Sequence, residues 1–317
     1  MSQMYADGEE GEFFILQLNY LRTSATSADK KYSIVSPNSP LIDVNITLGQ
    51  WPTRRVPCDE LETLVEKLRA HNVTEAWAGH YDGLFHADLT DVNNRLAAGC
   101  TTGVPLAPPV LTSNHEQRLP PDKPPLKLAP FGEINPVAPN WESELDRCAT
   151  VHHMPGVRLH PNYHSYNLDH LNFASFLKAA TERKLIVQLT ILIEDARMMH
   201  PLMRIPPVDI SPLEKLVSQT PGLRLILLNA LTSASRTDKL YRLTSAGEVY
   251  VEIAMLETLA ALETLVNDIP VERILFGSHA PSLYFESAAL KLQESSLPAA
   301  HYRAITHDTA RHLIPTA

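Results

Sequence analysis

From residue 41 onward the hydrophobic positions of this chain alternate between two patterns. Short, mainly apolar runs recur at about 41–47, 75–79, 131–135, 156–160, 185–192, 223–229, 248–254 and 274–276, the last of them, Ile274-Leu275-Phe276, with no polar residue at all. Runs of that kind suit strands buried on both faces. Between them the apolar positions return at helical spacing, as at Leu61, Leu64, Val65 and Leu68 within 59–71. The same spacing predicts helices over 88–98, 141–152, 168–183, 211–219, 235–244 and 256–268, and two more over 285–295 and 299–313. Eight strands alternating with helices predict an α/β protein built as a (β/α)8 TIM barrel. An open doubly wound sheet is the alternative, and no GxGxxG or GxxxxGK[ST] phosphate loop supports it.

Two stretches stand outside this rhythm. Residues 1–40 mix acidic, Ser/Thr-rich and short apolar pieces and read as an N-terminal extension to a barrel spanning 41–317. Residues 101–130 carry Pro105, Pro108, Pro109, Pro120, Pro121, Pro124, Pro125 and Pro130, too many for a helix or an interior strand. They read as a long irregular connection, with a domain linker as the alternative. Both stretches lead into strands, so both are expected on the barrel face opposite the mouth.

Composition narrows the function. A chain of 317 residues, 44% hydrophobic and 20% charged, can bury one large core. A formal charge of −9 argues against a nucleic-acid or anionic-membrane surface. Cys58, Cys100 and Cys148 lack CxxC spacing, which predicts reduced thiols and a cytoplasmic setting. The apolar run 13–21 follows Asp7, Glu9, Glu10 and Glu12, and so fits neither a signal peptide nor a membrane span.

In a barrel, the loops leaving the strands form one rim, and this is where α/β barrels place their chemistry. Loop 1 carries Trp51, Arg54 and Arg55; loop 2 His80, Asp82 and His86; loop 4 His160, Asn162, Tyr163 and His164. Loop 5 carries Glu194, Asp195, Arg197, His200 and Arg204, loop 6 begins at Asn229, and loop 8 begins at Ser278 and His279. Six of the 14 histidines fall on this rim, which favours acid–base chemistry. Arginine pairs with carboxylates through two parallel hydrogen bonds, so Arg54, Arg55, Arg158, Arg197 and Arg204 favour a small anionic organic ligand. Pairing with Glu194 and Asp195 is the structural alternative.

The stretches Leu41-Ile-Asp-Val-Asn-Ile-Thr-Leu-Gly49, Gly156-Val-Arg-Leu-His-Pro161, Leu223-Arg-Leu-Ile-Leu-Leu-Asn229 and Arg273-Ile-Leu-Phe-Gly-Ser-His-Ala-Pro281 resemble the strand motifs of the amidohydrolase-related (amidohydrolase 2 type) branch of the amidohydrolase superfamily. The resemblance runs from about residue 41 to 314. It implies a distorted barrel of the metal-dependent-hydrolase type, usually with a divalent metal at the mouth, and hydrolysis or nonoxidative decarboxylation. Where that pattern has metal ligands and a catalytic aspartate, this chain has Asn45, Thr47, Thr190, Asn229 and His279. An amide and a hydroxyl are poor partners for zinc.

The expectation is therefore a site with no metal ligands and no cofactor, a weakly bound divalent metal being left open. It would belong to a hydrolase acting on a small anionic ester, lactone or amide. His279 would take a proton from water while Asn45 and Asn229 hold a carbonyl oxygen, with His160 as a second acid–base group. Trp51, Arg54, Arg55, Thr47, Arg158, Tyr163, His164, Thr190, Glu194, Arg197 and His200 are expected around the substrate. A noncatalytic binding barrel and a metal-free decarboxylase or lyase are the alternatives. A homodimer is left open.

Overall fold

The apolar runs become the staves of a barrel. The computed structural model describes residues 40–102, 125–195, 197–232, 237–258 and 260–314. The extension 1–39 and the middle of the proline-rich segment, 103–124, lie outside the described residues. The strands are β1 Leu41–Leu48, β2 Val73–His80, β3 Lys127–Glu133, β4 Gly156–Leu159, β5 Ile186–Thr190, β6 Arg224–Leu228, β7 Glu248–Glu252 and β8 Ile274–Leu275. Each pairs in parallel with the next, in chain order. The ring closes where Val44 N donates to Phe276 O at 3.0 Å and Thr47 N to Ala280 O at 2.9 Å, beside a parallel bridge between Ile46 and Ala280. This is a (β/α)8 barrel. No helix among the described residues is long and apolar enough to cross a membrane.

Helices return the chain between strands: α1 Leu61–Ala70, α2 Leu89–Thr102, α3 Trp141–Thr150, α4 Leu171–Glu182, α5 Leu213–Ser218, α6 Thr237–Ala246, α7 Ala261–Asp268 and α8 Phe285–Gln293. Their apolar faces pack on the outside of the barrel; α1 buries Leu64, Val65 and Leu68 there. The C-terminal helix expected over 299–313 is divided into α9 Ala299–Arg303, a π turn Ala304–Asp308 and α10 Thr309–Leu313. The Ile305 carbonyl in that turn accepts the Phe276 amide at 2.9 Å, serving the backbone just past the two-residue β8. Residues 127–130, counted above with the proline-rich connection, already belong to β3. Pro130 is tolerated there because β3 pairs with β2 up to Pro130 and with β4 from Phe131 onward, so the missing amide falls where the ladder changes partner.

The barrel interior has two layers. The lower one is apolar, formed by Ile42, Val44, Trp77, Phe131, Ile186, Ile226, Tyr250 and Leu275, and closed from below by Ala310 and Leu313 of α10. The upper layer is polar and buried, with Asn45, Glu133, Arg158, Gln188, Thr190, Glu252 and His279. Along β1 the inward parity changes: Ile42 and Val44 pack inside, whereas Ile46 and Leu48 pack outside. The β1–β2 register shifts between Asp43 and Ile46, and this shift is what brings Asn45 and Thr47 into the polar layer.

Candidate active site

Two of the expected catalytic residues sit on strained backbone. Asn229 and His279, each just past the end of a strand, have φ of 57° and 56°. Asparagine adopts this left-handed region readily, but for histidine it costs free energy that its surroundings must offset. At His279 they do so through the backbone amide, which donates to Asn45 O at 2.8 Å, and the ring, whose Nε2 donates to Ile193 O at 2.7 Å. The other ring nitrogen, Nδ1, is buried and makes no hydrogen bond.

The two amides are spent on the scaffold. Asn45 Nδ2 donates to Asn229 Oδ1 at 2.9 Å and to Glu252 Oε1 at 3.2 Å, and Asn229 Nδ2 donates to Leu192 O at 2.6 Å. Glu252 also accepts the amides of Asn229 and Ala254. The expected role of Asn45, holding a substrate carbonyl, is therefore corrected: both of its amide hydrogens already serve protein acceptors, whereas Asn229 gives one of its two to Leu192 O. Asp43 lies beside them, accepting the amides of Asn45 and Ser278. Burial raises its carboxyl to about 7 against these hydrogen bonds.

The strongest proton-handling pair was not foreseen whole. His160 Nε2 donates to Glu133 Oε2 at 2.9 Å, and the other Glu133 oxygen accepts the His80 amide at 2.7 Å. Burial pushes the Glu133 carboxyl up, but His160, Arg158 and the His80 amide together hold it below its ordinary value. It is therefore a fixed anion behind the imidazole. His160 Nδ1 is buried and without a hydrogen bond. Gly83 packs against this pair, and a Cβ there would stand 2.4 Å from Glu133 Cγ.

Arg158 is buried but not free. Its guanidinium donates to Gln188 Oε1 at 2.8 Å, Ile46 O at 2.9 Å, Thr47 Oγ1 at 3.2 Å and Trp77 O at 3.4 Å. It ties β4 to β1, β2 and β5, and this corrects the expectation that Arg158 and Thr47 face substrate. Above the layer lies an apolar cap of Trp51, Val56, Tyr81, Leu84 and Ile193, with Tyr163 and Met203 packed on it. Trp51 meets Tyr81 edge-on at 5.3 Å, and Tyr81 Oη lies 2.5 Å from Ser282 Oγ, joining loops 2 and 8.

The remaining expected residues divide. Arg54 and Glu194 form a 3.2 Å ion pair lining a rim cleft of about 280 Å³ with Ile193, Met198 and Ser282. Thr190 is buried at the end of β5, and His164 Nε2 donates to Gly83 O at 2.8 Å. Three expected residues are engaged by neighbouring groups. Arg55 pairs with Asp59 and Glu60, Arg197 with Asp195 and Glu257, and His200 caps the Leu202 amide. Both arginines are exposed, Arg55 paired within its own loop and Arg197 with its own loop and with the loop after β7. Glu133, Gln188 and Glu252 were missed, although a carboxylate or amide within a buried apolar run is itself a signal.

Burial lowers His279 from 6.5 to about 4, so it is neutral near pH 7. A histidine with a depressed value contributes stability that is complete above 6.5 and is lost as pH falls through about 4; a carboxyl raised to about 7 does the reverse. His279→Asn suits the same backbone and removes the titration. The stability margin of the wild type over this variant, read from urea midpoints, is expected to shrink by on the order of 3 kcal/mol from pH 7 to pH 4. For Asp43→Asn the margin grows over the same interval. Margins that stay flat with pH would show that neither group is held as described.

The amidohydrolase family model matches residues 97–315. None of the curated protein sequences matches the chain. Among solved structures, 2,6-dihydroxybenzoate decarboxylase from Rhizobium shares 14% identity, with 87% of this chain and 98% of that one covered and a TM-score of 0.60. The 5-carboxyvanillate decarboxylase of Novosphingobium aromaticivorans, complexed with manganese and 4-hydroxy-3-methoxy-5-nitrobenzoic acid, shares 12%, with 89% and 98% covered and a TM-score of 0.66. A dihydroxybenzoic acid decarboxylase from a Polaromonas species, with bound manganese and 2-nitroresorcinol, shares 14%, with 87% and 96% covered and a TM-score of 0.60. At such identities the likeness is one of fold.

These structures overturn the expectation that no cofactor is involved, since two of them hold manganese. Whether this chain's own residues fit such an ion is a separate matter. Asn45 and Thr47 offer an amide and a hydroxyl that are already engaged, and among the described residues no three His, Cys, Asp or Glu side chains group so as to hold a metal ion. As they stand these residues do not fit a manganese centre, and no step below runs through one.

Proposed function

This chain belongs to the amidohydrolase family, and on that premise we propose that it is a lyase that removes the carboxylate of a small aromatic acid as carbon dioxide. Hydrolysis, the first expectation from the sequence, gives way to the lyase alternative, which is supported by similar solved structures that are decarboxylases, of 2,6-dihydroxybenzoate and of 5-carboxyvanillate. The observation that carries the reading is the Glu133–His160 pair, an imidazole fixed by a buried anion with its second nitrogen uncommitted.

Decarboxylation of an aryl carboxylate needs one proton delivered to the carbon that bears the carboxylate. His160 Nδ1 delivers it, while Glu133, accepting from Nε2, fixes the ring's orientation. The bond to the carboxylate then breaks, its electron pair restores the aromatic ring, carbon dioxide leaves, and His160 is reprotonated from solvent. The apolar cap keeps bulk water from this exchange.

The test is a panel of hydroxy- and methoxybenzoates, assayed for carbon dioxide release with and without added manganese, beside a panel of aryl esters and lactones. Release of carbon dioxide from at least one acid is expected. Ester or lactone cleavage with none released under either condition would overturn the reading. Arg54, the arginine at the rim cleft, gives a further expectation: Arg54→Ala raises KM for the acid about tenfold and leaves kcat within about threefold, as loss of one exposed charge contact implies. An unchanged KM would remove Arg54 from the binding path.

A further inference from the structure

His160 is shut in. It is 4% exposed, and the space beside it, between the loops that follow β4 and β5, amounts to about 10 Å³, room for about one water. The apolar cap lies above, so an aromatic ring reaches Nδ1 only when part of the cap moves. Loop 1, residues 49–60, brings Trp51 and Val56 to that cap. Its polar side chains bond chiefly to one another: Gln50 Nε2 donates to Glu60 at 3.0 Å, Trp51 Nε1 to Thr53 Oγ1 at 2.9 Å, and Arg55 Nε to Asp59 at 2.7 Å. Among the described residues its one polar side-chain tie to another loop runs from Arg54 Nη2 to Glu194 Oε1, at 3.2 Å. Loop 1 is therefore a self-bonded flap with a single polar fastening.

That fastening stands in the rim cleft, outside the cap, and Ile193 lines both the cleft and the space beside His160. The Arg54 side chain is 33% exposed and that of Glu194 3%. Arg54 Nε makes no hydrogen bond, so the guanidinium has a donor to spare for an anion that displaces the Glu194 oxygen. Asp195, the other acid of the cleft, is already paired with Arg197.

We propose that loop 1 is a gate latched by Arg54 to Glu194, and that the carboxylate of an incoming aromatic acid takes Arg54 from Glu194, releases the loop and opens the way past Ile193 to His160. The inference rests on the lyase reading above, which puts the reaction at His160, and it makes Glu194 a specificity residue. An uncharged ring of the same shape does not compete with a carboxylate for Arg54 and leaves the gate shut. The acid shifts the loop because it binds the open form better, Arg54 being free there. Arg54 belongs to the gate itself, so the acid stays paired with it as the loop moves, which keeps this contact in binding and apart from the proton step. Glu194 is not stranded by the exchange: burial already raises its carboxyl against the Arg54 contact, and the lifted loop returns it to water.

Trp51 reports the gate. The chain has 3 tryptophans, Trp51, Trp77 and Trp141, all buried, so a gain in acrylamide quenching of the fluorescence marks exposure of one of them, and Trp51→Phe shows which. Benzoate serves as the probe, with benzamide as an uncharged control of the same shape. Benzoate is expected to raise quenching in wild type and not in Trp51→Phe, and benzamide in neither. Glu194→Gln removes the competing charge: its quenching is raised before any ligand is added, and calorimetry gives benzoate a Kd about fivefold lower than in wild type, because a larger fraction of the protein is open. Benzoate that binds wild type without a change at Trp51, or that binds neither protein, would overturn the proposal, and so would a folded Glu194→Gln that binds it no more tightly. Carbon dioxide released from an acid with Trp51 unmoved would leave the lyase reading standing and remove the gate. Both benzoate effects without decarboxylation of any acid tested would uphold the gate, the failure then lying with the reaction.

Discussion

Replacing His160 with glutamine is expected to lower turnover of an aromatic acid by about 10²- to 10⁴-fold, the usual contribution of a positioned proton donor. The barrel should survive, because glutamine still offers an amide N–H toward Glu133 in place of Nε2. Glu133→Gln should cost a comparable factor by a different route. The ring loses the acceptor that fixes its orientation. The two residues act as one unit, and the double variant should be little worse than either single one. Steady-state assays of the three variants across pH 5 to 9 check this. Turnover within threefold of wild type for His160→Gln would exclude the pair from the reaction.

The second large effect concerns stability. Arg158 carries the positive charge in a layer that also holds Asp43, Glu133 and Glu252, all buried. Burial pulls its guanidinium down from the ordinary value, while Glu133, Asp43 and Glu252 act against that fall. Arg158→Met removes the counter-charge from beside these carboxyls and also the donors to Ile46 O, Trp77 O and Gln188, leaving those acceptors without partners inside the barrel. Such a loss costs about 3–5 kcal/mol. It is measured as the change in urea unfolding free energy, and a change below about 1 kcal/mol would mean that water enters the layer and solvates it. Arg158→Lys is not expected to rescue stability, since one ammonium cannot reach the four acceptors that the planar fork serves.

These residues also show how much of the molecule could be read in advance. The strands were legible because two-sided burial leaves an unmistakable apolar run, and the order of strands and helices then leaves one architecture. Boundaries were less so. The strand at Ile274 ends after two residues because the Phe276 amide turns to the Ile305 carbonyl, a contact made by residues far apart in sequence. The site was only half legible. His160 and His279 stood at strand ends, where polar residues draw notice, but Glu133 and Glu252 were hidden within apolar runs and their inward direction depends on register. The arginines failed for another reason: Arg55 satisfies acids within its own loop and Arg197 satisfies Asp195 beside it and Glu257 after β7, and pairing of that kind cannot be told from ligand binding by composition.

The polar layer is fastened mainly to main-chain atoms. Arg158 holds the carbonyls of Ile46 and Trp77, Gln188 Nε2 holds that of Val44 at 2.9 Å, and His279 holds that of Ile193. Every amino acid presents a carbonyl, so these anchors place no demand on the side chains at positions 44, 46, 77 and 193. The layer thus behaves as a chassis: loop 1 with Trp51 and Arg54 can drift or be exchanged for a sequence of other specificity while the proton-handling residues beneath keep their places. Divergence of substrate range in chains built this way is expected to concentrate in rim residues and to spare Arg158 and Gln188.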